Sequence, residues 1–179
     1  MRGPEADAPT RVPLDSCSAA TGDIDFVRDA GFDGAYTYFA ADGFTEGSRS
    51  DWWSDARERM EANGKLFYPS VGPGYNDTLI RPWNAQQTRG RGRGAYYDRM
   101  WRNALHASPN GITITSYNEW GEGTQIEGAR PHTSRNGSRA YADYTPDGPQ
   151  FYMKRTKEWV EQAKRGCEAA SLRQERVEL

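Results

Sequence analysis

Hydrophobic positions along this chain follow two periods in turn, one helical and one extended. From Asp23 onward, Ile24, Val27 and Ala30 share one stripe of a short helix, which Gly31 stops. Gly34 to Phe39 then reads as a first strand. A helix over Asp51 to Asn63, capped by Ser50 or Asp51, spaces Trp52, Ala56 and Met60 four apart and ends at Gly64. Lys65 to Val71 is the second strand. The clearest helical period follows in Tyr97, Met100, Trp101, Ala104 and Leu105, closed by Pro109 and Gly111. Ile112 to Tyr117 is the third strand, and a last helix over Pro149 to Arg165 aligns Tyr152, Thr156, Trp159, Val160 and Ala163, with Gly166 at its end.

Strand and helix thus alternate three times, which predicts an α/β fold of parallel strands with right-handed crossovers. Helix-to-strand links are short. The strand-to-helix links, over 40–50, from 72 into the 90s, and over 118–148, are long, and all leave the carboxyl ends of the strands. Long loops gathered at that end form the active face of a (β/α)8 barrel. Three strands fall short of eight, so the expectation is a partial barrel. By segments, 1–22, rich in Pro, Ala, Asp and Ser, reads as a disordered or non-homologous lead, 23–166 as the folded unit and 167–179 as a polar tail.

Composition narrows the chemistry only slightly. Lys+Arg of 23 against Asp+Glu of 25 leaves a net charge of −2, which argues against a dedicated nucleic-acid or anionic-membrane binder. No run approaches the roughly 18 apolar residues of a membrane span, and Met1 to Glu5 lacks the charged and apolar regions of a signal peptide. Cys17 and Cys167, near opposite ends, imply neither disulfide nor thiol chemistry, and His106 and His132 lack metal-ligand spacing, so neither metal nor cofactor is expected. Asn76 and Asn136 head glycosylation patterns that occur often by chance. Arg89 to Gly94 is an RG repeat of the kind found in RNA-binding tails, read here as a solvated loop in a chain without positive charge.

The chemistry concentrates in Ser116 to Glu127, where Glu119 and Glu122 stand just past the third strand. Glycines flank Glu122 and an indole follows Glu119, a setting in which one carboxyl can be desolvated and its pKa raised while the other stays ionised. Spacing alone leaves a second and commoner reading open, a solvated turn or helix cap. Tyr36 and Tyr38 share one face of the first strand, and their alternative role is core packing. Gly72 to Tyr75 is a turn that can bring backbone close to a ligand, and Arg81-Pro82-Trp83-Asn84 offers a guanidinium, an indole and an amide within one short run. Glu127 reads as a surface or cap carboxylate.

Asn118 to Glu127 (NEWGEGTQIE) resembles the signature of the endo-α-mannosidase family, glycoside hydrolase family 99, with Gly121 where that family usually carries His. Gly31 to Ala40, Phe67 to Asn84 with Thr88-Arg89, and Tyr141 to Tyr144 match further blocks in the same order. The resemblance implies the last three βα units of a (β/α)8 barrel and a retaining endo-acting α-mannosidase whose substrate's own 2-hydroxyl attacks C1. By motif position Glu119 would be the base for that hydroxyl and Glu122 the acid for the leaving oxygen. Tyr38 would stabilise oxocarbenium-like charge, and Arg81, with Tyr75, Asp77, Trp83 and Asn118 as neighbours, would bind mannose hydroxyls. The implied partner is a mannose-containing oligosaccharide, an N-glycan or a related mannan, and eukaryotic members would place it in the Golgi lumen or secretory pathway. A different class also remains open, a catalytically silent carbohydrate-binding half barrel.

Overall fold

The computed structural model describes residues 21–133, 140–141 and 143–177. Most of the expected lead, together with Cys17 and Asn136, lies outside the described residues. Helix α1 (Thr21–Asp29) carries Ile24 and Val27 into the core, and Gly31, at φ +76, turns the chain toward β1 (Gly34–Tyr36). That positive φ is why glycine suits this helix exit.

Strand β2 (Leu66–Tyr68) lies parallel to β1, with Gly34 opposite Leu66 and Tyr36 opposite Tyr68. The expected continuous strand over Lys65 to Val71 does not form. Pro69 has no N–H to donate, so the ladder to β1 stops there and pairing moves to the other side. Strand β3 (Ser70–Val71) pairs in parallel with β4 (Thr113–Ile114), and the Thr113 N–H bonds to the Pro69 carbonyl at 3.0 Å. The Ser70 N–H finds the Thr37 hydroxyl at 2.8 Å instead of a backbone partner. Three parallel runs therefore lie in chain order, the middle one broken by proline.

Helix α2 (Trp53–Ala62) follows a single 3-10 turn over Ser50–Trp52 and packs on β2. Ala56 and Met60 face inward as expected, but the first turn is 3-10 and not α, so the inward residue ahead of them changes. Trp53, fully buried with its Nε1 on the Gly47 carbonyl at 2.9 Å, takes the inward place expected for Trp52. Ser50 does not cap the helix: its hydroxyl accepts from Asn103 at 2.9 Å, and no side chain caps α2. Helix α3 (Ala95–His106) buries the expected face of Tyr97, Met100, Trp101 and Ala104 against β3.

Two short antiparallel strands, β5 (His132–Thr133) and β6 (Ala140–Tyr141), interrupt the last long loop, where none was expected. Helix α4 (Phe151–Val177) then runs through Gly166, the predicted stop. A mid-helix glycine costs only about 1 kcal/mol, and the Glu, Ala, Leu, Arg and Gln residues after it are good helix formers. Its first half packs on α3 through Tyr152 and through Trp159, whose ring stacks on Trp101 at 6.1 Å and 2°. Asp98 of α3 sits in that interface, accepting from Arg155 Nε at 2.7 Å and Trp159 Nε1 at 2.9 Å. Burial alone would raise its pKa, but the Arg155 and Trp159 bonds outweigh it and hold the carboxyl below its usual value.

Candidate active site

All three long loops leave the same end of the parallel strands and converge at Gly72. A Cβ there would collide with Ala40 of the first loop and lie 2.8 Å from the Thr115 carbonyl of the third. Only glycine permits that approach.

From Gly72 the second loop leads into a polar network centred on Asp77, whose side chain is wholly buried. Its Oδ2 accepts from the Tyr75 hydroxyl at 2.9 Å, Asn84 Nδ2 at 2.9 Å and Arg81 Nη1 at 3.1 Å. Burial by itself would raise this carboxyl's pKa, but the bonds from Asn84, Arg81 and Tyr75 together keep it below the usual range. Tyr75 moves the other way: burial first, then its bond to Asp77, pushes the phenol up to about 12, so it stays a donor at neutral pH. Arg81 Nη1 reaches onward to Glu122 Oε1 at 3.2 Å, so one guanidinium ties the second loop to the third.

The third loop folds back on itself to present the two glutamates. Ser116 N–H bonds to the Thr124 carbonyl at 3.0 Å, Ile126 N–H to the Ser116 carbonyl at 3.0 Å, and Glu127 N–H to the Tyr117 carbonyl at 2.8 Å. Within the turn, Glu119 N–H is held by the Ser116 hydroxyl at 2.9 Å. The Glu122 carbonyl accepts from the Asn76 N–H at 2.8 Å, and a Cβ on Gly123, which is at φ +62, would press to 2.9 Å of the Asn76 carbonyl. Glycine after Glu122 is thus required by both dihedral and contact. Glu122 ends with an 18% exposed side chain pinned by Arg81, while Glu119 is exposed. A Cβ at Gly121 would stand 3.5 Å from Glu119 Oε1 and 3.2 Å from Ile80, so any side chain there would border that carboxylate.

The structure therefore brings Tyr75, Asp77, Arg81 and Glu122 into one bonded unit and sets Glu119 on the same turn. Asn118 and Trp83 are exposed, Trp83 at 78%, and hold no place in that unit. The expected first strand to Phe39 ends at Tyr36, so Tyr38 lies two residues beyond β1 in the first loop, 36% exposed, its ring edge-on to Phe39 at 5.7 Å. A cleft of about 550 Å³ opens beside the third loop, between Tyr75, Thr88, Arg91, Trp120, Gly123 and Gln125; neither glutamate lines it. Among the described residues no group of three or more His, Cys, Asp or Glu is placed to hold a metal, and no helix is long and apolar enough to cross a membrane.

Two readings of the sequence need correction. Glu127 is a half-buried support, accepting from Trp120 Nε1 at 3.0 Å. The RG repeat keeps Gly90, Gly92 and Arg93 exposed, yet its arginines tie other loops down: Arg89 Nε donates to the Asp42 carbonyl at 2.9 Å, Arg91 Nη2 to the Gly123 and Gln125 carbonyls at 2.9 and 2.8 Å, and Arg93 to Asp147 at 2.6 and 3.1 Å. The Asn84 amide, singled out beside Arg81 in the sequence, is spent on Asp77 and on the Tyr75 hydroxyl, a partnership the sequence did not indicate.

Comparison with known proteins gives this geometry its context. The chain is 50% identical over 135 residues to the glycoprotein endo-alpha-1,2-mannosidase of Mus musculus, a match covering 75% of this chain and 29% of the mouse protein. It is 51% identical over 137 residues to the Xenopus laevis protein of the same name, covering 76% of this chain and 30% of that one. The chain thus spans less than a third of these relatives. The solved GH99 endo-alpha-mannosidase from Bacteroides thetaiotaomicron superposes with a TM-score of 0.79 at 43% identity, over 83% of this chain and 43% of the bacterial one. The profile of Glycosyl hydrolase family 99 matches residues 17–165, most of the chain and all three loops that build the site, and this chain belongs to that family.

Proposed function

We propose that residues 23–166 form the last three βα units of a (β/α)8 barrel and carry the acid and base of a retaining endo-α-1,2-mannosidase. The single observation that best supports this is the turn itself: Glu119 and Glu122 project from one loop at the carboxyl end of β4, with Glu122 oriented by Arg81. Relatives named as endo-alpha-1,2-mannosidases at about half identity supply the reaction class. The substrate is an internal α-mannosidic bond in an N-glycan or a related mannan.

In the proposed mechanism Glu119 takes the proton of the substrate's 2-hydroxyl as O2 attacks C1. The C1 bond to the leaving oxygen breaks, and that oxygen takes the proton of Glu122. A water then gives its proton to Glu122 and attacks C1 of the 1,2-anhydro sugar, while O2 recovers its proton from Glu119. Two inversions give net retention. Tyr38, just beyond β1, stabilises the oxocarbenium-like charge. Arg81, 43% exposed, orients Glu122 and offers its open face to mannose hydroxyls, with the exposed Trp83 and Asn118 as further sugar contacts. The outer edges of β1 and β4 carry no further strand among the described residues.

The test uses a hybrid in which the full chain is joined to the amino-terminal segment of the Bacteroides thetaiotaomicron enzyme. Incubated with a 2-deoxy-2-fluoro mannoside bearing a good leaving group, it is expected to show no covalent adduct by mass spectrometry and no turnover. A stable adduct on Glu119 or Glu122 would mean that a carboxylate attacks C1 directly.

A further inference from the structure

We propose that Arg91 is the positioning residue of the Glu119–Glu122 turn, setting where Glu122 stands relative to the scissile bond; this rests on the reading of those glutamates given above. The turn uses the N–H groups of Thr124, Ile126 and Glu127 internally. Its alternate carbonyls, at Gly123, Gln125 and Glu127, are taken from outside. Arg91 Nη2 binds the first two at 2.9 and 2.8 Å, and the Tyr144 hydroxyl binds the Gln125 and Glu127 carbonyls at 3.0 and 2.7 Å. The guanidinium carbon lies 5.2 Å from the Tyr144 ring centre and 4.7 Å from that of Tyr152, two rings that meet edge-on at 4.8 Å, so the cation packs against both while its Nη2 bridges two carbonyls.

Arg91 is itself held rigidly. Arg89 and Tyr75 exchange backbone bonds at 2.7 and 2.9 Å, which anchors the RG run to the Asp77 network. A Cβ on Gly74 would lie 2.7 Å from Arg91 Cγ, so glycine there makes room for the side chain. Glu122 is consequently fixed from two sides, by the Asn76 N–H on its own carbonyl and by Arg91 on the next one. Both carbonyls are held by the one nitrogen Nη2, and what sets arginine apart from lysine is its flat, weakly hydrated guanidinium, which packs against the two rings while that nitrogen donates; an ammonium is a strongly hydrated point charge on a flexible stem.

The experiment compares Arg91→Lys and Arg89→Lys in the hybrid, on a mannoside with a sugar leaving group and on one with an activated aryl leaving group. Misplacement of a catalytic group by about an ångström costs on the order of 10²-fold. Arg91→Lys is expected to lower kcat about 10- to 100-fold on the sugar leaving group, with KM within about threefold, and to lose much less on the activated substrate. Arg89→Lys, which pins a different loop, shows no such leaving-group dependence. Arg91→Lys with kcat within twofold of the parent, or with a loss equal on both substrates and matched by a fall in unfolding midpoint, overturns the proposal while leaving the glycosidase reading intact. Full activity in Glu122→Gln overturns both.

Discussion

Glu122→Gln in the hybrid is expected to lower kcat by about 10²- to 10⁴-fold on a substrate whose leaving group is a sugar, because the leaving oxygen then departs without a proton. An activated aryl leaving group needs little protonation, so most of that loss should vanish there. Glu119→Gln should lose a similar factor on the sugar substrate and recover little with the activated one, since the 2-hydroxyl still lacks its base. The two side chains are held differently: Glu122 is half-buried and bonded to Arg81, which fixes its position, whereas Glu119 stands on the open side of the turn. Equal recovery of both variants on the activated substrate would mean that the roles are misassigned.

Asp77→Ala is expected to give the largest loss of stability among the site substitutions. Its carboxylate is wholly buried, and removing it leaves the Tyr75 hydroxyl and the Asn84 amide without their acceptor, a cost of about 2–4 kcal/mol in denaturant unfolding. Arg81 is partly exposed and re-solvates, so it adds little to that figure. The pH dependence has a definite sign. The folded pKa of Asp77 lies below its ordinary 3.8, so its stabilisation is complete above 3.8 and is lost as pH falls below it toward the lowered folded value. The gap in stability between the parent and Asp77→Ala should therefore narrow on acidification below that point. A gap that stays constant to the lowest accessible pH would show that the carboxylate's charge contributes nothing.

The alternation of strand and helix was legible because each period was intact over its own segment, as in Tyr97, Met100, Trp101 and Ala104 of α3. What escaped the sequence depended on single residues acting through geometry. Pro69 divides a run that is apolar enough to read as one strand, and the 3-10 turn before α2 exchanges Trp52 for Trp53 as the inward indole. The two-residue strands β5 and β6 are too short to show a period. At the site, the turn after β4 was marked by its glycines and acids. The supports around it were less visible, since Arg91 and Tyr144 act on backbone carbonyls across long sequence separations, and Asn84 and Glu127 act on another side chain within their own loop. An RG repeat resembles low complexity in one dimension. In three dimensions Arg89 serves the first loop, and Arg91 and Arg93 serve two different stretches of the third.

The most direct measurement is the rate at which the hybrid hydrolyses an α-1,2-linked mannoside, set beside the same hybrid carrying Glu119→Gln and Glu122→Gln together, both first shown to unfold cooperatively. If residues 23–166 carry the acid and base of a mannosidase, the parent hybrid turns the substrate over at least about 10²-fold faster than the double variant. Equal rates in two folded proteins would contradict the account.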